Sequence, residues 1–242
     1  MALLTHKTVL VTGAASGIGA AAALLYAEYG AKVIVADVSE KGGHDIVTRI
    51  KSRKGEATFI RMGTGSLAEC ALLIKTAVGT YGNIDIACNN VSALGESRVR
   101  GGKDPEAFDN EVDFNLDTLF YYMKYEIAAM RKQHKGVIIN TTYAAGSLGL
   151  VAFSPFIHLK LGLVELMPIP PGERPSGNIR LHAVTPALMN AALQENTNAA
   201  EKATFIKLSP IDRLGRIEEV ARLVIWLSTD GVRWLPAANG KN

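Results

Sequence analysis

Cysteine is scarce: the 242 residues hold two, Cys70 and Cys88. With no CxxC pair and no histidine partner beside either, a disulfide scaffold and a thiolate metal site are excluded, and no metal is expected. Two buried free thiols are expected instead, one on a helix and one on a strand. Long apolar runs are also missing. None approaches the roughly 20 residues that cross a bilayer, and the first residues lack a basic stretch followed by an apolar signal core. The expectation is a cytoplasmic protein with no membrane partner. Charge of one sign is missing as well: 26 basic against 23 acidic residues leaves +3, too little to argue for a nucleic-acid partner. The one basic cluster, Arg98, Arg100 and Lys103, sits in a glycine-containing loop and reads as solvated surface. No internal repeat is visible. What remains is an ordinary globular composition, 48% hydrophobic and 20% charged, long enough to bury a substantial core.

Within that composition one stretch stands out, Thr12-Gly13-Ala14-Ala15-Ser16-Gly17-Ile18-Gly19. The apolar run Thr8–Val11 leads into it and an alanine-rich helical run from Ala20 to Tyr29 leads out. A glycine pattern carries meaning in such a strand–turn–helix setting. Gly13 permits the tight turn, Gly17 lets a phosphate approach the backbone, and Gly19 lets helix and strand pack closely. The helix then aims free N–H groups and the positive end of its dipole at a pyrophosphate.

Strand and helix signals alternate from there on. Strands are expected at 32–37, 57–61, 85–88, 136–141 and 178–184. Helices are expected over about 40–54, 67–81, 105–133, 155–167 and 217–228, the third started by Pro105 at a favoured first-turn position. Repeated β-α units of this length imply a parallel sheet with helices on both faces, doubly wound by right-handed crossovers. Ligands in such sheets bind at the carboxyl ends of the strands, where strand order reverses.

Asp37 closes the second expected strand, eighteen residues after Gly19. In a dinucleotide site that position accepts hydrogen bonds from the adenosine ribose hydroxyls and repels a 2′-phosphate. The alternative is a simple N-cap for the helix from residue 40. Ala14, Ala15 and Val38 offer no Lys or Arg to a 2′-phosphate, so NAD is favoured over NADP.

Together these motifs resemble the short-chain dehydrogenase/reductase family over residues 7 to about 230. The glycine turn at 12–19 matches the family's T-G-x-x-x-G-x-G. Asn89-Asn90-Val91-Ser92 stands for its N-N-A-G, and Asn115 in Asp113-Phe114-Asn115-Leu116 for its helix Asn, which holds a proton-relay water. Thr142-Tyr143 stands for its Ser-Ser, and Pro186-Ala187 for its Pro-Gly. Arg213-Leu214-Gly215 and Glu219-Val220-Ala221 fall in its C-terminal region. The resemblance implies one Rossmann-like α/β domain over residues 1–242, a doubly wound parallel sheet with a shortened C-terminal end. It further implies a homodimer or homotetramer acting on a small-molecule substrate. A nicotinamide cofactor would lie on Gly13, Ser16, Gly17, Ile18, Gly19, Asp37, Asn89, Lys160 and Pro186.

The departures bear on activity. Thirteen residues past Tyr143, where the family keeps the Tyr of Y-x-x-x-K, stands Phe156, in Phe156-Ile157-His158-Leu159-Lys160. The family's phenol donates the proton to the carbonyl, and its Lys, here Lys160, lowers the phenol pKa from one helical turn away and holds the nicotinamide ribose. Losing such an acid costs about 10² to 10⁴ in rate, roughly 3 to 5 kcal/mol of barrier. Two readings of Tyr143 stay open: its phenol replaces the missing acid, or it fills a reshaped pocket. The catalytic positions implied are thus Asn115, Tyr143, Phe156 and Lys160. His158 points about a third of a turn away from them and reads as packed or exposed. Gly63 replaces an Asp that the family places near the adenine. Pro168, Pro170, Pro171 and Pro175 should end the Lys160 helix near Met167. The last residues, Trp234–Asn242, are expected to lack the family's final strand. The expected function is hydride exchange between NAD(H) and an alcohol or carbonyl, impaired or with a non-standard acid. The alternative is a non-redox isomerase, cyclase or NAD-binding pseudoenzyme on the same scaffold.

Overall fold

The computed structural model describes residues 3–63, 65–90, 104–142, 162, 178–186, 189, 203, 206–207, 209, 211–232, 234–235 and 237–239. Strand and helix alternate as expected: β1 Thr8–Thr12, α1 Gly17–Glu28, β2 Lys32–Asp37, α2 Glu40–Ser52, β3 Glu56–Arg61, α3 Leu67–Tyr81 and β4 Ile86–Asn89. There follow α4 Pro105–Val112, a π-turn Asp113–Asp117, α5 Thr118–Lys132, β5 Lys135–Thr141, β6 Asn178–Val184, α6 Ile217–Ser228 and β7 Ala237–Asn239. The strands form one parallel sheet in the order β3-β2-β1-β4-β5-β6-β7. Strand order reverses between β1 and β4, which makes the carboxyl ends of those two strands the switch point.

Side chains alternate across the sheet as a pleated strand requires. Val9, Val11, Val33, Val35 and Cys88 pack with α1, α2 and α6 on one face. Leu10, Ile34, Ala87 and Ile138 pack with α3 and α5 on the other. Near-continuous apolar strands follow from being covered on both faces. Local chemistry fixes the helix ends. Ser39 caps α2, accepting from the Gly42 N–H at 3.2 Å, so the alternative reading of Asp37 as that cap is not met. Ser66 and Glu69 form a capping box at the start of α3, and Gly82 closes it in the left-handed region with φ +87. On β6, the buried Arg180 guanidinium donates to the Thr229 carbonyl at 3.1 Å, satisfying backbone acceptors where α6 ends.

One expectation needs refinement and one correction. The helix expected over 105–133 runs from Pro105 to Lys132 and carries a π-turn at Asp113–Asp117. At the π-turn the Thr118 N–H reaches back five residues to the Asp113 carbonyl, and the Thr118 hydroxyl donates to the same oxygen at 3.0 Å. A final strand is also present: β7 pairs with Leu181–Ala183 of β6. Strand pairing uses backbone groups along the free edge of β6, so the small residues Ala237, Ala238 and Asn239 suffice for three residues of ladder. Both cysteines are buried and free, as expected. The basic cluster at 98–103 and the helix expected over 155–167 lie outside the described residues, apart from Gly162.

Candidate active site

The glycine turn is built as its sequence demands. Gly13 and Gly17 take φ +62 and +53, a region where side chains are strained. A Cβ at Gly19 would overlap the Gly13 carbonyl oxygen and come within 3.0 Å of Asn90 Nδ2, so only glycine fits that crossing of turn and helix. Among the described residues nothing lies within 4 Å of a Cβ built at Gly17, so its backbone faces open space on that side. Ser16 is the N-cap of α1 and makes no capping bond with its side chain. The first N–H groups of the helix are therefore left to a ligand. Ile18 is half-buried and packs on the sheet.

Asp37 stands at the carboxyl end of β2 with 9% exposure. One carboxylate oxygen accepts from the Ala15 N–H at 2.8 Å, the other from the Ser39 N–H at 2.9 Å. The same side chain thus ties the glycine turn to the start of α2 and retains lone pairs for a ligand. Gly13, Ser16, Gly17, Asp37, Val38, Met62, Asn90 and Phe114 together enclose a cavity of about 270 Å³. A larger groove of about 440 Å³ borders α1, α2 and α6, sharing Ser16 and Gly17 with the cavity but neither Asp37 nor Asn90. The smaller space is the one that joins the turn to the acidic residue.

Behind the cavity lies a buried polar network. Asn89 Nδ2 donates to Glu126 Oε2 at 3.0 Å and to Asn140 Oδ1 at 2.9 Å. Its Oδ1 accepts from the Thr12 hydroxyl at 3.4 Å, and that hydroxyl accepts from the Asn90 N–H at 3.2 Å. Asn89 therefore fastens β1, β4, β5 and α5 together at the switch point. Glu126 is fully buried, and burial pushes its carboxyl up to about 7, opposed by the Asn89 hydrogen bond. Burial, with Glu126 adding to it, also pushes the Cys88 thiol up to about 12.

Asn115 is buried on the π-turn, its Nδ2 donating to the Glu111 carbonyl at 3.1 Å. Its neighbour Phe114 lines the cavity, so the turn brings this segment to the site. Thr142, first of the pair matched to the family's Ser-Ser, is held to β6 by the Val184 carbonyl at 2.8 Å. Pro186 is buried just past β6. Tyr143, Phe156 and Lys160 lie outside the described residues. A Cβ at Gly63 would overlap the Glu69 carboxylate, which occupies the space an acidic residue there would use. Among the described residues no cluster of His, Cys, Asp and Glu is arranged to hold a metal. Sequence reasoning missed Phe114, Glu126 and Asn140; a lone Glu among the apolar residues of α5 was the available signal for Glu126.

A model of the short chain dehydrogenase family matches residues 7–202, most of the chain and all of the glycine turn. The chain belongs to the short-chain dehydrogenase family. Curated relatives are similar over most of their length. A cyclohexanol dehydrogenase from Acinetobacter sp. is 33% identical over 93% of this chain and 88% of its own. A 3-oxoacyl-(acyl-carrier-protein) reductase from Synechocystis sp. is 32% identical over 95% of this chain and 92% of its own. The crystal structure of a levodione reductase superposes with a TM-score of 0.89 at 26% identity, covering 97% of this chain and 95% of that one. As a short-chain dehydrogenase, the chain is an oxidoreductase-family protein of a kind that works on small molecules with a nicotinamide cofactor. No helix among its described residues is long and apolar enough to cross a membrane.

Proposed function

We propose that this chain binds NAD(H) and exchanges hydride with an alcohol or carbonyl substrate, either at low efficiency or with Tyr143 as a non-standard proton donor. One observation carries the reading. The carboxylate of Asp37 lines the same cavity as Gly13, Ser16 and Gly17, while positions 14, 15 and 38 hold no cation. A carboxylate there accepts from ribose hydroxyls and repels a 2′-phosphate, which favours NAD over NADP. The open space beside Gly17 and the uncapped N-terminus of α1 fit a pyrophosphate. The nicotinamide, when bound, supplies or receives the hydride. Lys160 and Pro186 are the residues that would hold its ribose side, with Asn89 supporting the cavity from behind through Thr12 and Asn140. Asn115 keeps the water through which a proton leaves for solvent. Phe156 has the ring of the family's acid and no proton to give. The substrate carbonyl therefore takes its proton from the Tyr143 phenol or, slowly, from water. The names of the relatives, a cyclohexanol dehydrogenase and a levodione reductase, direct the search to cyclic alcohols and ketones. A cytoplasmic homodimer or homotetramer completes the reading.

NADH titration by fluorescence comes first, and absence of saturable binding overturns the proposal. Turnover of a panel of cyclic ketones with NADH follows. Phe156→Tyr combined with Tyr143→Ser raises turnover by about 10² or more if the acid alone is missing. No gain from the pair, in a chain whose wild type also turns over no ketone of the panel, means that the pocket serves another chemistry, and the non-redox alternative takes its place.

A further inference from the structure

Glu126 is a fully buried carboxyl whose Oε1 has no hydrogen-bond partner among the described residues. It sits three hydrogen bonds from the wall of the cavity. Oε2 accepts from Asn89 Nδ2 at 3.0 Å, Asn89 Oδ1 accepts from the Thr12 hydroxyl at 3.4 Å, and that hydroxyl accepts from the Asn90 N–H at 3.2 Å. Asn90 and Gly13, the residue after Thr12, both line the cavity. Either the carboxylate is charged with no cation among the described residues to offset it, or it takes a proton.

We propose that Glu126 is the positioning residue of the dinucleotide end of the site, orienting Asn89 and through it Thr12 and Asn90, and that an anionic dinucleotide in the cavity drives proton uptake by Glu126 from solvent. This rests on the reading that the cavity takes NAD(H). The physical cause is like-charge repulsion across a buried, weakly screened path: a pyrophosphate at the glycine turn disfavours a second negative charge behind it. Burial pushes the carboxyl up to about 7 against the lowering effect of the Asn89 hydrogen bond, and no cation among the described residues opposes the rise. Among the described residues the other titratable groups that feel it are Cys88 on β4, Cys70 on α3 and Tyr122 on α5 itself. Burial holds the two thiols up at about 12 and about 11, and the phenol higher still. All three are therefore neutral near pH 7, which leaves Glu126 as the member of the cluster that exchanges a proton there. Because binding favours the neutral acid, affinity falls as pH rises through neutrality.

The test is calorimetry of NADH binding at pH 7 in two buffers of different ionisation enthalpy, with binding repeated at pH 6 and 8, on wild type, Glu126→Gln and Glu126→Leu. Wild type is expected to take up a fraction of a proton and to weaken roughly three- to tenfold from pH 6 to 8. Glu126→Gln accepts from Asn89 without a charge, so it matches wild type at pH 6 and stays flat to pH 8 with no uptake attributable to this site. Glu126→Leu leaves an Asn89 amide hydrogen unpaired and weakens binding at every pH. Equal proton uptake in wild type and Glu126→Gln overturns the inference while leaving the NAD reading intact. Saturable binding that is absent from wild type at every pH overturns both. Should the variants not fold, infrared difference spectra of wild type decide: a carboxylic acid band that grows when NADH is added at pH 7 supports the inference, and an unchanged band overturns it.

Discussion

Replacing Glu126 with Gln should change how stability depends on pH, and the size of the change follows from the burial of the carboxyl. In the unfolded chain a glutamate titrates near its ordinary value of 4.5, whereas in the fold burial pushes Glu126 up to about 7. Between those values the folded protein holds a proton that the unfolded chain has released, so stability falls as pH rises through the window. Below 4.5 both states are protonated and no penalty exists; above 7 the penalty is complete. A difference of about 2.5 units at 1.36 kcal/mol each makes that penalty roughly 3 kcal/mol, a large share of a typical folding free energy of about 5–15 kcal/mol. Gln removes the titration but places an NH2 group where Oε1 has no partner, at a cost of about 1–3 kcal/mol that does not vary with pH. The slope, not the intercept, is therefore the readout. Urea unfolding of both proteins at half-unit steps is expected to show the variant gaining about 2 to 3 kcal/mol on wild type between pH 5 and pH 8. Parallel curves would refute the argument, because they would mean that the buried carboxyl finds a partner or water that keeps its pKa ordinary.

His182 works from the other side: fully buried on β6 with neither ring nitrogen bonded among the described residues, it is held down to about 4 by burial and by the Arg180 charge. Its folded pKa lies below the unfolded value, so wild type loses stability as pH falls from about 6.5 toward 4, by up to roughly 3 kcal/mol, and His182→Leu removes that loss in acid unfolding curves. Gly19→Ala forces a methyl into the Gly13 carbonyl; NADH binding by fluorescence should be lost, and thermal unfolding should shift down by several degrees. Asp37→Asn keeps the volume but loses the charge facing the Ala15 and Ser39 N–H groups; NADH affinity should fall about tenfold, while the preference over NADPH narrows. Tyr26→Phe deletes the 2.7 Å bond to Ser228 that ties α1 to α6, and calorimetric unfolding should register a loss of about 1 kcal/mol with no change in NADH affinity.

Sequence reasoning reached the sheet and one half of the site because both rest on local rules. The T-G-x-x-x-G-x-G turn needs positive φ at Gly13 and Gly17 and a missing side chain at Gly19, and glycine is the residue that meets all three demands. Helices α3 and α6 and strand β6 fall on their expected bounds, Leu67–Tyr81, Ile217–Ser228 and Asn178–Val184, because periodicity and caps agree there. The features that escaped are those settled by distant partners. The π-turn at Asp113–Asp117 depends on how Thr118 meets Asp113 and the Gly65 carbonyl, and no periodic signal encodes one extra residue in a turn. β7 forms because β6 offers an open edge, and three small residues carry little strand propensity of their own. Glu126 reads in sequence as one polar residue on an amphipathic helix, which ordinarily means solvent. What reverses that reading is the convergence of Thr12, Asn89 and Asn140 from three strands on the same buried point. A carboxyl with one amide partner and no cation among the described residues is an expensive thing to bury. The network it orients holds β1 to β4 at the reversal of strand order, where the cavity opens, so the residue hardest to see in the sequence stands directly behind the motif that was easiest.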